Sequence, residues 1–167
     1  MKGGIHEKDL GYKKIRDDLI AMNAYTSVGV HEDAGDSEGT PLAVIAAVHE
    51  YGAEIKNGFG KGIRIVIPER SFLRSFVDEN SGNLENFKQK IVGMIIDGKS
   101  TPGQALSLLG EYAVSGVKKK MRNGPFTPLR PATIRRKGSS KPLIDTGQLI
   151  GSISHKEIYN KPIGGTE

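Results

Sequence analysis

The chain has 167 residues, a formal net charge of +5 and no cysteine, which excludes disulfides, cysteine-ligated zinc and a thiol nucleophile. Hydrophobic residues make up 37% of the chain and aromatic residues 6%, so we expect one domain with a small core and much polar loop. No apolar run approaches the ~18 residues of a membrane span, and the N-terminus lacks the apolar region of a signal peptide. These features predict a soluble protein made in the cytoplasm.

The first third of the chain combines helix and strand signals. Four apolar residues at roughly helical spacing predict an amphipathic helix over about 8–22. They are Leu10, Ile15, Leu19 and Met22. The stretch AYTSVGVHE alternates and carries β-branched residues, so it predicts a strand over about 25–31. An acidic, glycine-containing loop follows it.

A short helix is predicted after this loop. Thr40 is a good N-cap residue and Pro41 suits the first helical position. The helix is expected to run to about His49 or Tyr51 and to end at Gly52.

The stretch AEIKNGFGKGIRIVIPER predicts a β-hairpin with arms at about 53–56 and 62–67 and its tip at Asn57–Gly58. Its GFGKG run superficially resembles a phosphate-binding loop. That loop requires Ser or Thr after the lysine and a helix after the loop, whereas Gly62 follows Lys61 and a strand follows the run. The hairpin interpretation is therefore favoured.

Two helices are predicted next. Ser71 is expected to cap a short helix, whose large apolar residues belong in the core: Phe72, Leu73 and Phe76. Ser81–Gly82 is expected to break this helix, and Asn83 to cap another that closes at Gly98.

A capping box at Thr101–Gln104 predicts a further helix to about Met121. The composition then changes, because 123–142 is rich in Pro, Gly, Ser and basic residues. We expect a long surface arm there, either flexible or ordered only on assembly, with one helical turn at Pro131–Arg136.

The C-terminal part returns to regular structure. Asp145, with Gln148 at capping-box spacing, is expected to cap a short helix, and SISHKEIY predicts a closing strand. The predicted fold class is therefore α+β. It comprises a small mixed or antiparallel sheet with a β-hairpin, packed against several helices, in a single domain over 1–167 that carries the 123–142 arm.

The dipeptide His49–Glu50 could begin a zinc-protease HExxH motif. That motif needs a second histidine four residues after the first, and this position holds Ala53. No other histidine spacing suits a metal, and no nucleophile–base set is recognisable. The sequence predicts a protein that is not an enzyme and has no cofactor or metal.

Basic residues are concentrated between 113 and 142, where no Asp or Glu occurs. They are Lys118, Lys119, Lys120, Arg122, Arg130, Arg135, Arg136, Lys137 and Lys141. This segment is either a solvated face or a surface for phosphate or an acidic partner. A small basic nucleic-acid-binding module is therefore the alternative function, although a single aromatic residue, Phe126, gives little support for base stacking.

Three segments in order carry a family resemblance: AAVHEYGA, IPERSFLRSF and PLIDTGQLIGSI. Together they resemble the tail-completion, or neck, proteins of tailed double-stranded DNA bacteriophages, over about residues 25–155. PLRPATIRRKG also resembles the proline-rich segment that precedes the third piece. Ser71 departs from the family pattern, in which proline is common at this position.

The resemblance implies a structural virion protein at the head–tail junction, made in the host cytoplasm. It implies a homo-oligomeric ring, most commonly a hexamer, that joins the connector or tail terminator to the tail. Non-specific contact with DNA is possible, and no membrane contact is expected. Whether the layer is tail completion, tail termination or head completion stays open.

The predicted subunit or partner contacts follow the resembling segments and the basic arm: His49, Glu50, Tyr51, Gly52, Arg70, Phe72, Arg74, Arg130, Arg135, Arg136, Thr146 and Gly147. His49 and Glu50 are expected to hold their turn to the segment 68–74 or to a neighbouring subunit. Arg70 and Arg74 are expected either in buried or inter-subunit ion pairs or on a solvated face.

Overall fold

The computed structural model describes residues 24–58 and 62–159. The helix predicted over 8–22 lies outside these residues. Helices and small antiparallel sheets of two strands make up the fold, which confirms the α+β class.

The ends of the described chain pair with each other. Strand β1 (Ala24–Val30) lies antiparallel to β6 (Ile153–Tyr159), with Val28 opposite His155. Both strands were predicted, and both are confirmed. This sheet packs against the helix α3 (Pro102–Asn123). The capping box predicted for α3 at Thr101 and Gln104 is present.

A minimal hairpin precedes the first described α-helix. Strand β2 (Asp36–Ser37) pairs with β3 (Thr40–Pro41), and helix α1 spans Leu42–Tyr51. The prediction of Thr40 as N-cap and Pro41 as first helical residue is wrong. The two-residue turn between β2 and β3 has positive φ at both positions, as tight hairpins require. It holds Thr40 and Pro41 in strand pairing, so Pro41 occupies the N-cap position with an extended ψ of 133°.

The second hairpin consists of β4 (Ala53–Gly58) and β5 (Ile63–Ile67). Its two arms are confirmed, but the predicted tip is wrong. Asn57 and Gly58 belong to β4, because a register irregularity between Ile55 and Gly58 lets Gly58 pair with Ile63. Residues 59–61, which include part of the GFGKG run, lie outside the described residues.

One continuous helix replaces the two that were predicted between 71 and 98. Helix α2 spans Leu73–Ile96, so neither the break at Ser81–Gly82 nor the cap at Asn83 occurs. A glycine inside a helix costs only about 1 kcal/mol. The packing of helix residues before and after Gly82 outweighs this cost, since Phe76 and Ile91 are both buried. Helix α2 packs along α3, where Phe87 and Tyr112 stack with ring centroids 4.4 Å apart.

The segment 123–142 contains the helical turn that was predicted. Helix α4 spans Pro131–Lys137, and Gly138 follows it in the left-handed conformation. Phe126 packs against the core, so part of the segment contacts the rest of the fold.

Helix α5 (Gln148–Gly151) is a single turn, and its predicted cap is wrong. Gly147, with φ of 86°, occupies the N-cap position, and Asp145 lies too far upstream to cap it. The hydroxyl of Thr146 instead accepts from the amide of Gln148 at 3.4 Å.

The main core draws on all three segments that carry the family resemblance. AAVHEYGA contributes Ala46, and IPERSFLRSF contributes Phe72 and Phe76. The third segment and its extension into β6 contribute Leu143, Leu149, Ile150 and Ile153. Helix α3 supplies the other members: Val114, Val117 and Met121. A smaller cluster joins α2 to α3: Ile91, Ile95 and Ala105.

Candidate functional site: the Glu50 junction and its hairpin

The end of α1 meets the start of α2 through one buried carboxylate. The Glu50 residue is 3% exposed. Its oxygens accept hydrogen bonds from the Ser71 hydroxyl at 2.7 Å and from the amides of Leu73 and Arg74, each at 2.9 Å. We call this arrangement the Glu50 junction.

Glu50 therefore caps α2 from a different helix. The first amides of a helix lack partners within the helix, and a carboxylate there also interacts favourably with the helix dipole. The prediction of Ser71 as the cap is wrong. Phe72 occupies the N-cap position without a side-chain cap, and the Ser71 hydroxyl donates to Glu50.

The hydrogen bonds at the junction keep Glu50 ionised. Burial alone raises the pKa of Glu50, but the amides of Leu73 and Arg74, the Ser71 hydroxyl and the Arg74 guanidinium outweigh it. The net pKa lies below the ordinary value, as expected for a carboxylate that accepts several hydrogen bonds.

Arg74 closes the outer side of the junction. Its guanidinium donates to the Glu50 carboxylate at 3.2 Å, to the Glu50 carbonyl at 2.9 Å and to the exposed carboxylate of Glu69 at 2.8 Å. The guanidinium also lies 4.7 Å from the ring centroid of Tyr51, a cation–π distance. Burial lowers the pKa of Arg74, but the two carboxylates outweigh it and raise the pKa above its ordinary value.

Arg70 forms the inner side of the junction. It is 4% exposed, and burial lowers its pKa. Its amide donates to the carbonyl of His49 at 2.7 Å, and its Nε donates to the carbonyl of Thr127 at 3.1 Å. Arg70 thus connects the end of α1 with the basic segment 123–142.

Gly52 fixes the base of the β4–β5 hairpin. Its φ of 73° and ψ of 168° lie in a region that only glycine adopts readily. A Cβ at this position would lie 3.0 Å from the Ile67 carbonyl oxygen and 3.0 Å from the Glu69 amide. The chain can pass this closely only without a side chain, so the prediction that Gly52 ends the helix is confirmed.

The hairpin has one apolar face, which we call the hairpin face: Ala53, Ile55, Ile65 and Ile67. Cross-strand partners point to the same side, and here Ala53 is opposite Ile67 and Ile55 opposite Ile65. The other side carries an ion pair of Glu54 and Arg64 at 2.7 Å. No other described helix or strand packs extensively against this hairpin, and Ile55 is 46% exposed.

A second feature is a cavity of about 560 Å³ between α1, α4 and α5. It brings together four of the predicted contact residues: His49, Arg136, Thr146 and Gly147. Acidic side chains of Glu38 and Asp145 also line it, so the cavity carries both signs of charge.

The predicted contact residues therefore separate into groups. Three are buried and make their contacts within the chain: Glu50, Arg70 and Phe72. Tyr51 is 66% exposed beside Arg74, and Arg130 and Arg135 are exposed at the start of α4 and within it. Contact of any of these residues with a partner stays a prediction.

One sequence expectation about the site is confirmed, and two contacts of the site were not predicted. Glu50 and the His49 carbonyl hold their turn to the segment 68–74, as predicted. No local pattern indicated that Glu50 would cap a helix 23 residues away, or that the Thr127 carbonyl would accept a hydrogen bond from Arg70. Both contacts depend on the tertiary fold.

Within 24–58 and 62–159, no cluster of three or more His, Asp or Glu could hold a metal ion. Among the same residues, no helix has the length and apolar character needed to cross a membrane.

No family model, curated protein or solved structure matches the chain.

Proposed function

We propose that this chain is a structural protein of the head–tail junction of a tailed double-stranded DNA bacteriophage. It forms a homo-oligomeric ring, a hexamer in this proposal, that joins the connector or tail terminator to the tail. The resemblance of three segments to tail-completion proteins motivates the proposal. The observation that supports it best is the Glu50 junction, which joins two of these segments and holds an exposed apolar hairpin at its base.

The hairpin face supplies the subunit contact in this proposal. An isolated two-stranded hairpin is marginally stable in water and needs packing on one face. Few contacts within the described residues cover it. Each subunit of a ring meets its neighbour through two unlike surfaces, so the hairpin face of one copy would pack on a different surface of the next.

Tyr51 and Arg74 extend this contact in the proposal. Aromatic residues and arginine are enriched at protein interfaces, and Tyr51 is exposed beside the base of the hairpin. The Glu50 junction then has a positioning role, because it fixes the direction in which these groups point. The proposed function involves no catalysis.

The basic residues of α3 and α4 have a different role in the proposal. They contact acidic surfaces of neck and tail proteins, or the phosphates of DNA that passes through the ring. The alternative function, a small basic nucleic-acid-binding module, depends on the same residues. The two functions differ in whether the protein assembles.

Sedimentation, negative-stain electron microscopy and a gel-shift series in salt separate the two. The neck proposal predicts concentration-dependent rings and weak DNA binding. The alternative predicts a monomer that binds duplex DNA tightly, with affinity that falls steeply as salt increases. A monomer with tight DNA binding would refute the neck proposal.

A further inference from the structure

Three basic residues near the end of α3 lack a carboxylate partner. Lys118, Lys119 and Arg122 form no ion pair with any residue that the structure describes. Most of the basic side chains described outside 113–142 do form one: Arg64, Arg74, Lys88, Lys99 and Lys156. The positive charge of the three α3 residues is therefore available to a partner.

These three residues, which we call the α3 basic face, lie on one side of the helix. Lys118 and Lys119 precede Arg122 by four and three residues, and side chains at these spacings are neighbours on a helix surface. The only carboxylate of α3 is Glu111. It lies two turns away and contacts His155 at 3.1 Å, so the charge of the α3 basic face is not offset from within its own helix.

A polar cleft borders the α3 basic face. It is a cavity of about 560 Å³ between α2 and α3, and Lys119 lines it. Three neutral side chains that can donate hydrogen bonds lie beside this cation: Asn83, Ser115 and Asn123. The one carboxylate in the lining, Glu79, is paired with Lys120 at 2.7 Å. The cleft thus combines an unpaired cation with neutral donors.

This chemistry suits a phosphodiester backbone better than a protein surface. Lysine, arginine, serine and asparagine supply most hydrogen bonds to DNA phosphates. Protein–protein interfaces usually have an apolar core, whereas the exposed large hydrophobic side chains of the described residues all lie outside 113–142. A surface that is basic and polar, without exposed apolar side chains, favours nucleic acid as the partner.

The aromatic rings near this surface are already used inside the fold. Phe126 packs against the core, and Tyr112 stacks on Phe87. Recognition of single strands depends on aromatic rings that are free to stack on bases. Contact with the backbone of duplex DNA, without readout of its sequence, therefore fits the surface best.

We propose that the α3 basic face and the polar cleft bind the phosphate backbone of duplex DNA, independently of its sequence. Lys118, Lys119 and Arg122 supply the charge, and the neutral donors of the cleft add hydrogen bonds. This inference rests on the proposed function, in which the basic residues of α3 meet either DNA or acidic proteins, and it selects DNA.

The salt dependence of duplex binding by two full-length triple variants tests the proposal. The first variant combines Lys118→Gln, Lys119→Gln and Arg122→Gln. The matched control combines Lys88→Gln, Lys99→Gln and Lys156→Gln, which removes the same charge from three exposed ion pairs. Because cations near a helix end also stabilise the helix, circular dichroism confirms that both variants are folded.

The slope of log association constant against log salt should become shallower by about 2–3 in the first variant, since each phosphate contact contributes about 0.9. The control should keep a slope close to that of the wild type. Two duplexes of different sequence should bind wild type about equally. Equal slopes for the two variants, or a strong preference for one sequence, would overturn the proposal. Binding of polyglutamate without binding of duplex DNA would also overturn it, in favour of an acidic protein partner.

A neutral double variant tests the cleft separately. Asn83→Ala with Asn123→Ala should weaken duplex binding several-fold and leave the salt slope unchanged, because neutral donors release no counterions. Unchanged affinity would contradict the role of the cleft.

Sedimentation without DNA separates this inference from the proposed function. Rings formed by a wild type whose DNA binding does not depend on the α3 basic face would overturn only the inference. A monomer whose DNA binding does depend on this face would overturn only the ring.

Discussion

Arg74 donates three hydrogen bonds to Glu50: its amide and its Nε to the carboxylate, and a terminal guanidinium nitrogen to the backbone carbonyl. The carboxylate is buried, whereas the guanidinium is half-exposed. One residue at the end of α1 thus satisfies the start of α2 and anchors the cation beside Tyr51. The hairpin begins two residues after Tyr51.

Removing the Glu50 carboxylate should destabilise the fold strongly. Glu50→Ala leaves the amides of Leu73 and Arg74 without an acceptor, and we expect a loss of about 3 kcal/mol in the free energy of unfolding. Glu50→Gln keeps one acceptor oxygen, so its loss should be about 1–2 kcal/mol. Chemical denaturation measures both.

Glu69→Ala is the matched control for this prediction. Glu69 also pairs with Arg74, at 2.8 Å, but its side chain is 55% exposed. Exposed ion pairs contribute less than about 1 kcal/mol. Equal effects of the Glu50 and Glu69 alanine variants would show that the junction does not depend on the buried carboxylate.

Acid should weaken the junction through Glu50. Its pKa is lower in the folded protein than its ordinary value of 4.5, so its contribution is complete above that value and is lost as pH falls through the folded pKa. The stability difference between wild type and Glu50→Gln should therefore shrink as the pH falls below the ordinary pKa of 4.5.

The pKa of Asp33 is also lowered, by the hydrogen bond from Lys156. Protonation of Asp33 at low pH therefore also reduces stability. Both proteins in the comparison retain Asp33, so its effect cancels in the difference. A stability difference that stays constant or grows as pH falls would contradict the assignment to Glu50.

Two glycines with nearly equal φ should respond differently to alanine. Gly52→Ala places a Cβ 3.0 Å from backbone atoms of Ile67 and Glu69, in addition to the strain of a region reserved for glycine. For Gly52→Ala we expect a loss of about 3 kcal/mol in the free energy of unfolding. Gly138, with φ of 72°, has open space around it, so Gly138→Ala should lose only about 1 kcal/mol. Thermal denaturation that ranks the two variants in the opposite order would contradict this account of the hairpin base.

The continuity of α2 can be tested with a second pair of glycines. A Cβ at Gly82 would meet nothing within 4 Å, so Gly82→Ala should stabilise the helix by about 0.5–1 kcal/mol. At Gly116 of α3, a Cβ would overlap the ring of Phe76. Gly116→Ala should therefore lose about 1–2 kcal/mol despite its better helix propensity. If Gly82→Ala were strongly destabilising, two helices separated at Ser81–Gly82 would be the better description.

Local sequence signals predicted the elements whose ends depend on nearby residues. The capping box of α3 needs only Thr101 and Gln104, and the end of α1 needs only the backbone freedom of Gly52. Both were predicted correctly. Strands β1 and β6 were predicted from signals within each segment, but nothing in either strand indicated that the two pair with each other, at least 123 positions apart.

Two of the errors lie where a distant contact competes with a local preference. Ser71 has the composition of a cap, yet the carboxylate of Glu50 takes that role and Ser71 donates to it. Gly82 favours a break, but packing of Phe76 and Ile91 keeps α2 continuous. The candidate site also depends on distant contacts, because its parts come from different elements. Its geometry could therefore not be predicted from any one segment.

In the proposed function the hairpin face joins subunits into a ring, and sedimentation of two hairpin variants tests this contact most directly. Ile55→Ser with Ile65→Ser replaces one cross-strand pair of the hairpin face, whereas Val66→Ser replaces a residue about as exposed as Ile55 on the side of Glu54 and Arg64. The account predicts rings for wild type and Val66→Ser, and a folded monomer for the double variant, with circular dichroism as the check of folding. Rings that persist in the double variant, or a wild-type protein that stays monomeric at high concentration, would contradict it.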